Sequence, residues 1–497
     1  MEANMLHSTL PSHAKTNKYP SLNLIVLLTL SFTPVYTPIM IDPIIEKNPL
    51  QIPEIRARIS RLVSLKDAIS CVRVSKAWSK DFALPIWCTV DFNIHDTFED
   101  LDSNNVTKHG HHIRTIKNLT TQSELDAVLR PTIKNVRVLQ ITCATSARFR
   151  TLCMDLIYNS SGALKKLTLE MDEDAKQQDY SSRMISANAF VSSSASQLAE
   201  IRLHGICFSR DSFASLLRNC PLLTSVDLQQ DVTLFSGPSI DAFQHKGVVT
   251  LWAPIKQVFK PDPESEPSSL GFSLLVHFPN LTNWHCYNLP TTLFVPVERI
   301  KREVTRCCPQ VTKIDTWKSP QLIIYNLVAN AFHGLTHVTF AYSQLSMDVI
   351  VALLCHKATL QQIFATRDGS NSHTERDNVP SEDDHFQQSG RAVQLLPRSC
   401  PHLKLLQFEG HEMDMEIVEE ETWACIGLQH LRVRIRGLDT KDKIDRSLNL
   451  WKDGKQESQQ QKEAAAKNTS IEARVASHLL AFKKLKAVWL GTHTFYA

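Results

Sequence analysis

The chain has 497 residues, which exceeds one ordinary domain and predicts several domains or a repeat array. Hydrophobic residues make up 43% and charged residues 21%, the composition of a chain that builds a core and not of a disordered one. A net charge of +3 offers no support for sequence-independent nucleic-acid binding, which needs concentrated Lys and Arg, and only 14 glycines argue against Gly-rich phosphate loops. The twelve cysteines form no C-x-x-C pair, and we expect them to be reduced and structural.

Residues 1–47 have the layout of a signal peptide, with Lys15 and Lys18 before an apolar run from Leu22 to Phe32. This run is too short for a transmembrane helix, and no clear cleavage site follows it. We predict a leader that is disordered or wrongly assigned to the chain, with Met40 as the true start. The alternative is a functional signal peptide, and hence a secreted protein.

Residues 48–92 contain apolar residues at helical spacing in three short runs. The first run begins at Pro53 and Glu54, the second passes through Leu65 and Ile69, and the third begins after Val74. Three helices of this size cannot bury their apolar faces alone, so they need a partner surface. One reading is an ordinary helix trio within a core.

These residues also resemble the F-box family, which follows a Leu-Pro-x-Glu-Ile start with a Val-Ser-Lys-x-Trp element and a later Leu-Trp. The matching positions include Glu54, Ile55, Ile59, Leu65, Asp67, Ile69, Val74, Ser75, Lys76, Trp78 and Trp87. Pro53 stands one place late, and Arg56 replaces a common Leu. The resemblance implies docking onto a Skp-type adaptor and, through it, a cullin. The implied adaptor-binding residues are Ile52, Pro53, Ile55, Ile59, Leu62, Leu65, Ile69, Val74, Trp78 and Trp87.

A weak repeat runs from residue 110 to 438 and returns at 476–497. Its unit is three apolar residues at positions 1, 4 and 6, as in Leu164-Leu167-Leu169 and Leu223-Val226-Leu228. The copies starting at 198 and 223, at 335 and 360, and at 403 and 428 are each 25 residues apart. Val248–Leu251 could fill a missing strand between two widely separated copies. Each copy alternates like a short half-buried strand.

A helix is expected before most of these strands, ended by Cys-Pro or Phe-Pro. Such pairs occur at Cys220, Phe278, Cys308 and Cys400. A helix and a strand every 25 residues or so resembles leucine-rich-repeat F-box proteins, which implies an α/β solenoid, or horseshoe, after the F-box.

Four polar segments interrupt the repeats and are expected to be loops or disordered inserts. They are residues 170–182, 260–269, 367–390 and 439–470, and the domain division places a polar helical or disordered insert at 439–475. Within the last segment, residues 456–467 have strong helical propensity but no apolar stripe, and a solvated helix is expected.

No sequence motif for catalysis, a cofactor or a metal is present. The cluster of His109, His111 and His112 is expected to be a solvated loop, because no cysteine or carboxylate stands at ligand spacing. The acidic run from Glu412 to Glu421 is expected to be a solvated face. We therefore expect no enzyme activity, no cofactor, no nucleic-acid or membrane partner, and a cytoplasmic or nuclear location.

The resemblance implies a substrate-recognition subunit of an SCF-type E3 ubiquitin ligase that binds an unknown protein target through its repeats. The alternatives are a leucine-rich-repeat scaffold that binds the adaptor without a ligase role, or a secreted repeat protein. In a helix–strand solenoid, residues between the buried strand positions face one open side. The expected target-binding residues are Arg202, Asp227, His285, Phe364, Gln407, Arg432, Arg434 and Trp489, in a row that also includes Gln140, Thr168 and Thr339.

Overall fold

A parallel β-sheet dominates the computed structural model of the chain. The structure describes residues 49–93, 103–129, 132–143, 147–171, 197–229, 233–235, 243–254, 258, 273–286, 296–316, 324–325, 327–341, 345–366, 392–456, 470–490 and 493–496. The expected leader 1–47, the inserts 260–269 and 367–390, and most of 456–467 and 170–182 lie outside these residues. The chain divides into two units, Met1–Arg56 and Ala57–Ala497.

Fifteen strands form one sheet within the described residues, and each pairs with the next along the chain. These strands are β1 (Thr89–Asp91), β2 (Thr115–Leu119), β3 (Val138–Cys143), β4 (Lys166–Met171), β5 (Glu200–His204), β7 (Ser225–Leu228), β9 (Thr250–Trp252), β10 (Asn283–His285), β11 (Lys313–Asp315), β12 (His337–Ala341), β13 (Gln362–Thr366), β14 (Leu405–Met413), β15 (His430–Ile435), β16 (Ala487–Leu490) and β17 (His493–Tyr496). A separate pair contains β6 (Cys207–Ser209) and β8 (Thr233–Phe235). Pairing is parallel up to β16, and β17 returns antiparallel to it.

One backbone contact recurs at strand entries and joins consecutive repeats. The carbonyl of Ala199 accepts the N–H groups of Thr224 and Ser225, and the carbonyl of Thr224 accepts those of Val249 and Thr250 in turn. The same forked arrangement continues to the last repeat, where the carbonyl of Gln429 accepts two N–H groups. This regularity is that of a solenoid-like α/β architecture, in which each unit contacts its neighbours.

The helices of the described residues connect the strands or precede them. They are α1 (Pro53–Ser60), α2 (Leu65–Val72), α3 (Lys76–Trp87), α4 (Ser103–His109), α5 (Gln122–Val128), α6 (Ala147–Ser160), α7 (Arg210–Asn219), α8 (Val297–Cys307), α9 (Met347–Leu354), α10 (Met415–Glu420), α11 (Lys441–Gln456) and α12 (Ile471–Leu480). Residues 392–399 are also helical. Shorter helical turns are Pro49–Gln51, Gly110–His112, Leu274–His277 and Leu327–Ala331.

Helix ends follow local signals in the sequence. Ser64 and Ser75 cap α2 and α3 by accepting N–H groups of Asp67 and Trp78. The expected Cys-Pro and Phe-Pro stops are confirmed, because α7, α8, the helix 392–399 and the turn Leu274–His277 all end just before such a pair. Cys220 and Cys400 at these stops are fully buried, and burial raises the pKa of Cys220 to about 12 and that of Cys400 to about 11. The ten cysteines whose side chains the structure describes are free thiols.

Two boundaries differ from expectation. The sheet begins at Thr89, inside the segment assigned to the F-box-like helices, and not near residue 110. The segment 439–475 is not only a polar insert, because α11 buries Ile444, Leu448 and Trp451 in the common core. These residues recur at the spacing of one helix face, and the charged residues around them had concealed that stripe.

Candidate functional site

Exposed apolar side chains concentrate in the first three helices. Six of the thirteen large hydrophobic residues that are exposed in the described part lie between positions 55 and 84. Five of them belong to the unit that begins at Ala57, and we call them the exposed apolar residues: Leu62, Leu65, Ile69, Val74 and Leu84. Leu62 is 82% exposed and Val74 is 63% exposed. A single exposed apolar residue needs no special explanation, but five of them within 23 positions of the chain indicate an interaction surface.

Their placement follows from the local helix geometry. Leu65 and Ile69 are one turn apart on α2 and are 48% and 43% exposed, whereas Ala68, beside them on the helix, is fully buried. Leu62 and Val74 lie in the turns before and after α2. The folded chain therefore buries Ala68 and leaves Leu65 and Ile69 uncovered.

The remaining residues expected to bind an adaptor have other surroundings. The ring of Trp78 stacks on Phe82 with centroids 5.2 Å apart, and that of Trp87 stacks on His109 at 5.1 Å. Trp87 also packs against the core, so it joins α3 to the start of the sheet. Ile59 is half-buried. In the other unit Ile52 is half-buried, and Pro53 and Ile55 are exposed.

The expected row of strand residues is present in the sheet register. Each member is paired with the next across twelve consecutive strands, and we call this set the strand row. Its members are Gln140, Thr168, Arg202, Asp227, Trp252, His285, Asp315, Thr339, Phe364, Gln407, Arg432 and Trp489. Their neighbours along each strand are buried with the helices, so the strand row occupies the opposite face of the sheet.

Two members of the strand row were missed at the sequence level. Trp252 follows Leu251, in the strand that Val248–Leu251 predicts. Asp315 follows Ile314, in a copy of the repeat whose third apolar position is occupied by Thr316. The register rule that gave the other members would have found both residues, because each stands next to a buried position of its strand. The exposed Leu84 was also left out of the expected adaptor-binding residues, although it stands in the Leu-Pro-Ile-Trp end of the F-box-like stretch.

An ion pair joins the third and fourth members of the strand row. Arg202 Nε donates to Asp227 Oδ2 at 2.6 Å, and the amide of Gln229 donates to the same oxygen at 3.3 Å. Asp227 is 5% exposed, and burial raises the pKa of its carboxyl above the ordinary value although Arg202 and Gln229 oppose that shift. The side chain of Arg202 is 45% exposed, so one partner is buried and the other is open.

A stacked aromatic pair adjoins this ion pair. The rings of Trp252 and His285 have centroids 3.5 Å apart and planes that differ by 1°. Asp315, on the next strand, holds the imidazole through a 3.2 Å contact from His285 Nδ1 to its Oδ2. Carboxylates therefore stand on both sides of a flat surface made by two rings.

The C-terminal end of the strand row contains Arg432, and Arg434 lies two positions further along β15; both are expected target-binding residues. Arg434 lies 3.7 Å from Glu412, and Arg436 lies 3.4 Å from Asp414. The acidic run is thus more than a solvated face, because Glu419 also receives a forked contact from Arg474, with Nη2–Oε2 at 2.6 Å. Carboxylates of the chain itself already neutralise part of this basic end.

The histidine cluster near α4 is packed and not simply solvated. His109 lies between Trp87 and His112, and burial lowers the pKa of both His109 and His112. In the described part of the chain, no group of three or more His, Cys, Asp or Glu side chains could hold a metal ion. None of the described helices has the length and apolar character needed to cross a bilayer.

Comparisons with known proteins do not assign the chain to a family. No family model matches, and no curated protein matches. A solved structure of the Toll–Spatzle complex, described as a molecular hub in Drosophila development and innate immunity, aligns with 12% identity and a TM-score of 0.27. The alignment covers 67% of this chain and 48% of that chain, so this chain spans about half the length of its counterpart. Similarity at this level does not establish a shared fold.

Proposed function

We propose that this chain is a substrate-recognition subunit of an SCF-type E3 ubiquitin ligase. In this role the helices α1–α3 dock onto a Skp-type adaptor, and the strand row binds a protein target in the cytoplasm or nucleus. The chain itself does no chemistry, because ubiquitin transfer belongs to the conjugating enzyme that the complex recruits. Its contribution is to hold the target near that enzyme.

The observation that supports docking is the set of exposed apolar residues on and around α2. These side chains lie in the segment whose sequence resembles the F-box, and they remain uncovered after the chain has folded. Covering them with a partner would contribute about 1 kcal/mol per side chain from apolar area alone. A partner with an apolar groove therefore fits this surface better than a polar one.

The observation that supports target binding is the strand row on the face opposite the helices. It contains charged, aromatic and amide side chains, a mixture typical of surfaces that recognise protein segments. Phe364, Gln407 and Trp489 continue the strand row beyond the Arg202–Asp227 ion pair. Docking and target binding thus fall on different parts of the chain and can be tested separately.

Co-expression of the full chain with a Skp-type adaptor and a cullin tests this function. If the proposal holds, both partners elute with the chain in size-exclusion chromatography. Adaptor without cullin would favour the scaffold alternative, in which the chain binds the adaptor but serves no ligase. Elution of the folded chain alone would contradict the proposal.

A further inference from the structure

Two buried acceptor oxygens on the strand-row face have no hydrogen-bond partner. Asp227 is only 5% exposed. Its Oδ2 accepts hydrogen bonds, but its Oδ1 has no partner within the described structure. Asn283 donates its amide Nδ2 to Thr250 at 3.2 Å, and its Oδ1 is likewise left without a donor. A buried acceptor without a donor is costly, so each such group calls for an explanation.

Both oxygens belong to the same stretch of the sheet. Asp227 is on β7 and Asn283 on β10, and β9 with Trp252 runs between them. Because Asp227, Trp252 and Asn283 all alternate with buried residues, their side chains stand on one face. Both unmet groups are acceptors. Asp227 stands in register with Trp252, whereas Asn283 is in register with Thr250, two positions before Trp252 on β9.

The chemistry of this cluster selects its ligand. Unmet acceptors require a group rich in N–H donors, and a buried carboxylate favours a positive charge. The aromatic ring of Trp252, in register with Asp227, favours a flat cation that can lie along the ring. Among protein side chains, the arginine guanidinium combines five donors, a fixed positive charge and a planar shape.

We propose that Asp227 and Trp252 form a binding site for an arginine side chain of an extended target segment. The site takes the guanidinium against Trp252 and gives it Asp227 Oδ1 as its main acceptor. His285, stacked behind Trp252 and held by Asp315, fixes the ring in place. This inference rests on the proposed role of the strand row as the target-binding surface, and it identifies arginine as the side chain that this surface recognises.

Arg202 is the internal competitor for this site. It already supplies a positive charge to Asp227 through Oδ2, and its side chain is 45% exposed. Removal of Arg202 leaves the Gln229 amide as the donor to Oδ2 and removes a repelling charge. An incoming arginine should therefore bind more tightly to a chain that lacks Arg202. If the Arg202–Asp227 ion pair only held the structure together, loss of Arg202 would instead weaken the binding of arginine.

The probe is a dye-labelled, capped peptide of glycine and serine with one central arginine, titrated with the full chain and followed by fluorescence anisotropy. Matched peptides carry citrulline, which has the same shape without the charge, or lysine. We expect the citrulline peptide to bind at least about tenfold more weakly, because the charge-assisted hydrogen bond is lost. The lysine peptide should also bind more weakly, since an ammonium cannot lie flat on Trp252.

Three variants of the chain are compared in the same peptide titrations. Asp227→Asn should abolish the preference for arginine over citrulline, and Arg202→Gln should strengthen arginine binding. Asp348→Asn is the matched control, because it removes an exposed carboxylate on α9, and it should change nothing. Should Asp227→Asn fail to fold, the Arg202→Gln variant and the citrulline peptide still decide the question.

The proposal is overturned if arginine and citrulline peptides bind equally, if lysine binds as well as arginine, or if Arg202→Gln weakens arginine binding. Adaptor binding is measured on the same protein samples. Its presence or absence reports on α1–α3 and not on this site, so failure of the arginine site is distinguishable from failure of the ligase role.

Discussion

Trp252 and His285 lie face to face on neighbouring strands, with ring centroids 3.5 Å apart. The two residues are register partners in β9 and β10, and His285 is held from the far side by Asp315. An aromatic pair of this kind contributes roughly 0.5–1.5 kcal/mol beyond the area that it buries. The stack therefore stabilises the short strands at the middle of the sheet.

Trp252→Ala should loosen β9 and β10 locally. We expect amide hydrogens of Thr250–Trp252 and Asn283–His285 to exchange faster in hydrogen–deuterium exchange, by a factor of about 2–10 for the stacking energy above. Trp252→Phe, which keeps a stacking ring, is the control and should change exchange less. Equal exchange in Trp252→Ala and the unmodified chain would show that the stack contributes nothing.

His356 should be a structural bridge between two repeats. Its Nδ1 accepts the N–H of Leu335 at 3.3 Å, and its Nε2 donates to the carbonyl of Val328 at 2.8 Å. His356→Ala leaves both buried backbone groups unpaired, at about 1–3 kcal/mol each. We expect a lower thermal unfolding midpoint, whereas His333→Ala, at an exposed position nearby, should leave the midpoint unchanged. Similar midpoints for the two variants would contradict this role.

The pH dependence of stability should include His478, whose ring packs against Trp423 and Phe482. Burial lowers the pKa of His478 to about 4, although the charge of Glu419 opposes the shift. An unfolded histidine titrates at about 6.5, so below that pH the unfolded chain gains a proton that the folded chain does not. The contribution of His478 to stability is therefore complete above about pH 6.5 and falls by up to about 3 kcal/mol as the pH drops towards 4.

A melting series between pH 7.5 and pH 4.5 checks this prediction. We expect His478→Gln to reduce the dependence of the unfolding midpoint on pH, because the glutamine does not titrate. His333→Ala serves as the control and should keep the slope of the unmodified chain. An unchanged slope in His478→Gln would assign the acid sensitivity to other groups.

The sequence predicted the strand row well because a strand alternates with a strict period of two. Once the buried positions of two repeats were aligned, the residue between them had to align as well, as Phe364 and Gln407 do across a long insert. The Cys-Pro helix stops were equally local, because proline ends a helix whatever surrounds it. Features of this kind depend on a few neighbouring residues.

Other features depend on side-chain positions in three dimensions. Nothing in the sequence shows that Asp227 keeps one bonded and one unpaired oxygen, or that Trp252 lies flat on His285. The core contacts of α11 were also missed, because Ile444, Leu448 and Trp451 lie on a helix rich in charged residues such as Asp442, Asp445 and Arg446. The docking role of α2 remains a prediction from resemblance and exposure.

The most direct test of the central proposal is adaptor binding by a chain with the face of α2 truncated. Leu65→Ala with Ile69→Ala removes two exposed side chains one turn apart, and Met347→Ala with Val351→Ala removes a similar exposed pair from α9. Isothermal titration with a purified Skp-type adaptor should show binding by the unmodified chain and the α9 variant, and at least about tenfold weaker binding by the α2 variant. Undiminished binding by the α2 variant, or no binding by the unmodified chain, would contradict the proposal.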